Sequence, residues 1–290
     1  MNWVNAILQG VMLGGIFAIA ASGLSLVYGV MRIANLAHGD LMVLGGYVAA
    51  MSAISYGVPV VITIPVSMVV LGVVGWLVQR MVLDRALRLE EMTPILVTFG
   101  LSVIIPNVLV ELFTNNSKPL SIGSLGTASL DLGGGLTVGW FPLITFVLAV
   151  VVLSALHVFL RRTQSGRILR ATSDDPSTVR LMGVDSRRVY ATATVIAFAT
   201  VALAGTLYTM KQGGITPFEG RLTVLFAFEA VIIGGLGSVW GTLIGGITLG
   251  VAQAVGAEIS PDLPLLVGHL VFLTVLAVRP QGILGRSSLA

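Results

Sequence analysis

Leu160–Val189 reads LRRTQSGRILRATSDDPSTVRLMGVDSRRV, a polar insert between apolar runs of membrane length. Seven of the chain's sixteen Lys and Arg residues lie between Arg161 and Arg188, against three acids, Asp174, Asp175 and Asp185. A polar insert of this length faces water, and its arginine content puts it on the cytoplasmic side of a membrane. Its internal punctuation predicts structure. Asp175-Pro176 is an N-cap followed by proline at the first helical position, and Gly183 stands where a helix would end. Pro176–Met182 is therefore read as a short helix against the membrane, with a turn of helix over Gly166–Thr172 before it. A loop that only connects spans has no need of two helices, whereas one that receives a push from a partner does. From charge alone, a solvated basic turn is the better account of the stretch.

Composition agrees with a membrane setting. The 290 residues are 56% hydrophobic and 10% charged, where soluble domains carry roughly 25% charged residues. The mean hydropathy of +0.98 makes this an all-α, polytopic membrane bundle, one domain over residues 1–290. The absence of cysteine excludes disulfides, thiolate metal sites and cysteine nucleophiles. The net charge of +3 reflects topology, not nucleic-acid binding. The first residues lack the basic region of a cleavable signal, and the first apolar run is too long for one.

The spans read in order as Ala6–Tyr28, Leu41–Ser55, Val58–Gln79, Thr93–Phe113, Val138–Leu160, Tyr190–Thr209 and Leu263–Val278, with a charged loop at Arg80–Glu91. Leu222–Gly256 would be about 52 Å long as one helix, too long for a bilayer. Gly234-Gly235-Leu236-Gly237-Ser238 must break it, either into two tilted crossings or into re-entrant half-helices. Eight to ten membrane helices are expected, some of them broken or re-entrant. Loops near residue 32 and at 80–91, 161–188 and 279–286 hold thirteen Lys and Arg. The opposite side holds Lys118, Lys211 and Arg221. The C-terminus is thus cytoplasmic. A simple count puts the N-terminus outside, and a broken segment near 29–50 would reverse that. Ala34–Ala49 and Ala227–Gly246 each pair an acid with a later Gly-Gly, a hint of two related halves.

Polar groups within this frame mark candidate sites. A carboxylate such as Glu229 at a helix centre costs about 2.5–3.5 kcal/mol. Either it lines a path or it hydrogen-bonds a neighbouring helix. Asn35, His38 and Asp40 share one helix start, with Asn35 able to cap and Asp40 able to pair with Arg32 or a loop arginine. Asn35, His38, Asp40, Gly45, Gly46, Glu229, Gly234, Gly235, Gly237 and Ser238 are the candidate substrate-path residues. His157 and His269 read as packing or interface residues. No spacing suits a metal. No phosphate-binding loop is present, and no chain of intramembrane acids suits a proton relay. If the chain serves a pump, the motor is a separate subunit, docked on the arginine loop. An intramembrane enzyme is the least favoured reading, since neither paired catalytic acids nor a Ser/His pair in suitable context appears.

Several motifs together resemble a known family. They are Leu26-Val-Tyr-Gly through Asn35-Leu-Ala-His-Gly-Asp40 to Gly45-Gly46-Tyr47; Ser165-Gly-Arg-Ile-Leu-Arg-Ala through Asp175-Pro to Leu181-Met-Gly-Val184; Ala227-Phe-Glu-Ala-Val-Ile-Ile-Gly-Gly-Leu-Gly-Ser238 with Gly241 and Gly245-Gly246; and the ending Val278-Arg-Pro-Gln-Gly-Ile-Leu-Gly285. Over its whole length the chain resembles the integral-membrane permease of the branched-chain amino-acid ABC uptake system, the smaller of its two permeases. Leu36 departs from the family's frequent phenylalanine. The resemblance implies a second, related permease as partner. It also implies two cytoplasmic ATPase subunits that use the ATP, a periplasmic protein delivering leucine, isoleucine or valine, and a bacterial inner-membrane location. No cofactor would be bound by this chain. By the same resemblance the loop 161–188 is the coupling element, with Gly166, Arg167, Arg170, Asp174, Asp175, Arg180 and Gly183 as its candidate residues. Permeases for ribose-like sugars, urea or short amides, and a channel or secondary transporter without an ATPase, remain open on composition.

Overall fold

The computed structural model describes residues 2–90, 92–131, 133 and 136–285. Glu91 and Arg286 of the inner loops, and 132, 134 and 135 of the outer loop, lie outside the described residues. The apolar runs form helices α1 (Asn2–Met31), α2 (His38–Tyr56), α3 (Val60–Ala86), α4 (Thr93–Phe113) and α5 (Trp140–Arg162). After the basic elbow come α8 (Ser186–Gln212), α9 (Gly220–Gly234), α10 (Val239–Ile259) and α11 (Pro264–Val278). The elbow itself holds α6 (Gln164–Asp174) and α7 (Pro176–Leu181). Six of these, α1, α3, α4, α5, α8 and α10, are long and apolar enough to cross a membrane. The shorter α2, α9 and α11 pack among them.

One expectation is corrected at the inner end of α3, the charged loop from Arg80. The charged stretch from Arg80 is helical to Ala86, through a π-helical turn at Gln79–Leu83. The side chain of Gln79 explains the tolerance: it is fully buried, donates to Asp84 Oδ1 at 2.8 Å and accepts from Thr194 Oγ1 of α8 at 2.7 Å.

Sidedness follows from a few contacts. The Ser173 hydroxyl of α6 donates to the carbonyl of Gly29, so the basic elbow lies at the C-terminal end of α1. The opposite end of α1 meets the outer loop, where Gln9 Nε2 donates to Thr137 O at 2.8 Å. The N-terminus therefore lies at the end opposite the basic elbow, which is the outer end if the arginines are cytoplasmic. Gly237 sits against Gly29, and the amides of Ile283 and Leu284 donate to Ile233 and Gly234 at 2.8 and 3.0 Å. The described C-terminal end thus lies inside, as the charge count requires. On the outer side two small antiparallel ribbons form. β1 (Lys118–Pro119) pairs with β4 (Gly214–Ile215), and β2 (Ser129–Asp131) pairs with β3 (Thr137–Gly139).

The long helices carry two interruptions at half depth. After α1 the chain turns back through Arg32–Ala37, and α2 starts at His38 beside Ala20, in the middle of α1. After α8 the chain turns back through Gly213–Glu219, and α9 starts at Gly220 against Gly39 and Asp40. Hence α2 runs from mid-depth outward and α9 from mid-depth inward. The order α1–α2–α3–α4 is repeated upside down by α8–α9–α10–α11. The packing repeats as well, because α1 lies along α10 while α8 lies along α3. This is the inverted-repeat plan of many transporters. The pairing of Ala34–Ala49 with Ala227–Gly246 is out of register, since the structural counterpart of the α2 start is Gly220.

Backbone contact at glycines holds the repeats together, as expected where lipid removes the hydrophobic drive between helices. Where α2 crosses α8, a Cβ on Gly205 would overlap the carbonyl of Met42, and one on Gly45 would lie 2.7 Å from Ala202 Cα. Neither contact can be relieved by a rotamer change. Gly205→Val is expected to cost about 1–3 kcal/mol or more, read as a lowered melting temperature of the purified protein in detergent. Unchanged melting would show that the α2–α8 crossing is not this tight.

Candidate functional site

Depth is set by one layer of residues. A Cβ on Gly23 would touch Ala197 O, Thr200 Oγ1 and His38 Cε1, so α1, α8 and the start of α2 meet there. Thr200 lies fourteen residues from Ser186 and twelve from Gln212, about 21 and 18 Å along the helix. The layer is thus at the middle of the membrane.

Irregular backbone survives at this depth only if its polar groups are satisfied inside protein. Several of them find partners here. The amide of Leu36 donates to Thr98 Oγ1 of α4 at 3.2 Å, and that of Ala37 to Asn35 Oδ1 at 3.0 Å. Asn35 therefore closes the turn before α2 and does not cap the helix, whose N-cap position is Ala37. His38 Nε2 lies 2.8 Å from the carbonyl of Ala20, and the ring is buried. In the second interruption, Thr216 and Glu219 form a capping box around Pro217. Glu219 Oε1 accepts from the amide and hydroxyl of Thr216, both at 2.8 Å.

The two half-helix starts face each other. Asp40 is buried against Gly220, and Thr223 Oγ1 reaches Gly39 O at 3.4 Å. Asp40 pairs with neither Arg32 nor an elbow arginine; the cation within its electrostatic range is Arg221. Arg221 is the second residue of α9, at half depth and exposed, not in an outer loop. Sequence reasoning missed it because it counted every charge outside an apolar run as a loop residue. The Thr216–Glu219 capping spacing was the available signal. Gly45 and Gly46 are buried against α8, the latter facing Thr209 and Ile215.

Glu229 lies away from this junction, in the inner half of α9. It is buried, and its Oε1 is hydrogen-bonded to Nδ1 of His269 on α11, so of its two readings the helix-to-helix bond is the one the geometry realises. Its Oε2 has no partner among the described residues. Gly234–Ser238 is a tight turn at the inner end of the bundle, with Gly235 and Gly237 at φ +101° and +78°. Such backbone favours glycine. The carbonyls left open at the end of α9 accept from Ile283 and Leu284, and the Ser238 hydroxyl caps α10 by accepting from Gly241 N at 3.1 Å. The break thus leaves α9 as a half-helix from mid-depth to the inner end and α10 as a full crossing, so neither expected arrangement holds as stated; the re-entrant breaks are those before α2 and α9.

The basic elbow is two helices, slightly longer than expected in α6 and one residue shorter in α7. Gly166 packs on the end of α5, where a Cβ would overlap Phe159 O, and its amide donates to Thr163 Oγ1 at 3.0 Å. Leu169 is buried with Leu26, Val30, Leu156 and Val189, the inner ends of α1, α5 and α8. Asp175 caps α7 by accepting from the amides of Ser177 and Thr178 at 2.9 and 3.2 Å. The hydroxyl of Ser177, then that of Thr178, holds the Asp175 carboxyl well below the usual carboxylate range. Its stabilisation is present above that range and is lost only as pH falls far below it. Gly183, at φ +81°, ends the turn. Arg167, Arg170, Asp174 and Arg180 are exposed, the last donating through Nε to Ser186 Oγ at 3.1 Å. Leu181 and Met182 at the tip are 89% and 78% exposed. A cleft of about 520 Å³ lies beside them, between Asp84, Arg88, Arg180 and Arg187.

Among the described residues no three His, Asp or Glu groups could hold a metal. The chain is 28% identical to the high-affinity branched-chain amino acid transport system permease protein LivH of Escherichia coli K12, over 99% of this chain and 96% of LivH. It is 26% identical to the permease protein LivM of the same strain, over 93% of this chain and 68% of LivM. The fold is like that of PsaBC from Streptococcus pneumoniae in complex with Fab, with a TM-score of 0.52, 15% identity and coverage of 94% of this chain and 92% of that one. The model of the family described as branched-chain amino acid transport system / permease component matches residues 6–277, and the chain belongs to that family.

Proposed function

We propose that this chain is a permease subunit of an ATP-driven importer in a bacterial inner membrane, forming part of the path for branched-chain amino acids. ATP is bound and hydrolysed on separate cytoplasmic subunits, and a periplasmic protein delivers the substrate. The observation that carries the reading is the elbow. A two-helix module with an apolar tip stands on the inner face, fixed to three membrane helices. Leu181 and Met182 have no reason to be apolar and exposed unless a partner covers them. The exposed Arg167, Arg170 and Arg180 of the same module suit an acidic surface on that partner.

The anchoring gives the push a route. α6 is tied to α1 through Ser173 and Gly29, to α5 through Gly166, and to α8 through Leu169. Both α1 and α8 run on to the mid-depth layer that holds His38. A tilt of the elbow therefore reaches the paired starts of α2 and α9 through rigid helices. Membership of the family and the two relatives from one strain, LivH and LivM, support a second, related permease as the partner within the membrane. The chain does no covalent chemistry on the substrate.

Two outcomes test the reading. Arg167→Glu with Arg170→Glu is expected to abolish ATP-driven leucine uptake in proteoliposomes of the whole complex while the chain still inserts. Normal uptake would remove the elbow from the coupling. Glu229→Gln is expected to loosen the α9–α11 contact, seen as a melting temperature that falls by several degrees, because the bond joins two buried or half-buried groups. A variant as stable as the parent would show that His269 contributes nothing there.

A further inference from the structure

We propose that Arg221 binds the carboxylate of the transported amino acid, and that Phe218, Arg221, Leu222 and Leu225 together form a wall of the path. The inference rests on the importer reading above and adds to it which face of the chain the solute touches.

The argument begins with depth. Arg221 follows Gly220, which packs on Asp40 beside the layer of His38 and Thr200. Its backbone is therefore close to the centre of the bilayer. Its side chain is exposed and, among the described residues, makes no ion pair. Its guanidinium carbon lies 5.7 Å from the centre of the Phe218 ring. A cation so placed cannot face hydrocarbon; intramembrane arginines face a water-filled cavity or a partner group. Asp40 does not serve as that group by contact, because it is buried in the seam between α2 and α9. Phe218, in the turn before α9, and Leu222 and Leu225 on α9 are 41%, 47% and 47% exposed.

The chemistry of this surface selects one kind of solute. A guanidinium offers paired N–H donors that match a carboxylate. The first turn of α9 adds the positive end of a helix dipole to the same place. The leucines and the phenylalanine give an aliphatic side chain an apolar surface next to the charge. A sugar or urea would use neither the charge nor the apolar surface. An amino acid with a branched aliphatic side chain uses both.

The chain has no cysteine, so an introduced thiol is unique in it. The experiment uses the full complex with its binding protein in liposomes. Arg221→Gln is expected to lower leucine uptake about tenfold or more, with Arg221→Lys affected less. In Arg221→Cys, a cationic, water-soluble thiol reagent is expected to label the chain and restore part of the uptake. A neutral reagent of equal size restores none, and leucine delivered by the binding protein slows the labelling. Labelling that fails, or that leucine does not slow, overturns the proposal. So does a variant complex that falls apart on purification, which would make Arg221 the partner of an acid on the second permease. Parent complex that takes up no leucine, isoleucine or valine would instead sink the importer reading; parent uptake with unimpaired Arg221→Gln sinks only this inference.

Discussion

A chain that crosses a bilayer cannot leave a backbone N–H or carbonyl facing hydrocarbon, and that constraint fixes where this bundle can be irregular. The stretches Arg32–Ala37 and Gly213–Glu219 break the α-helices in the middle of the protein, and polar side chains close each. Asn35 and Thr98 serve the first, Thr216 and Glu219 the second. Those side chains allow two half-helices to begin at the same depth and point in opposite directions. The inverted repeat follows, because each long helix that carries such an interruption, α1 or α8, is packed by the long helix of the other half, α10 or α3.

Much of this was legible in the residues. The second elbow helix was legible because two local signals agreed there, the Asp175-Pro176 start and the Gly183 stop. Apolar length dominates in a membrane and placed most of the long helices, Thr93–Phe113 to the residue, whereas Leu41–Ser55 belongs to a half-helix that starts at mid-depth and Val58–Gln79 continues to Ala86. The half-depth breaks were harder to see. Glycine drew attention to Gly234–Ser238, since a run of glycines is the strongest local sign of a broken helix. That run is only a turn at the inner edge, closed by the C-terminal segment. The true breaks are signalled by capping residues within apolar sequence, Asn35 and Thr216, and one such residue is easily taken for a packed polar side chain. Which carboxylate faces which partner depends on packing across halves: Glu229 with His269 is a contact over forty residues that no local pattern encodes.

The same geometry separates what can move from what cannot. Along α1 and α10, Gly10 and Gly14 meet Gly246 and Gly250 backbone to backbone, and Gly45 and Gly205 do the same for α2 and α8. Sliding at these seams would drive main chain into main chain, and packed cores have discrete arrangements instead of continuous ones. The seam between α9 and α11 is of another kind. It includes a side-chain bond between Glu229 and a His269 whose side chain is 37% exposed. The helix α4 is buried over only 17% of its apolar window, and touches the broken segment through Thr98. A push on the elbow arrives through α1 and α8, which belong to the glycine-locked group. On the importer reading proposed above, such a push would move that group as one body against α4 and α11, carrying the opposed starts of α2 and α9 with it.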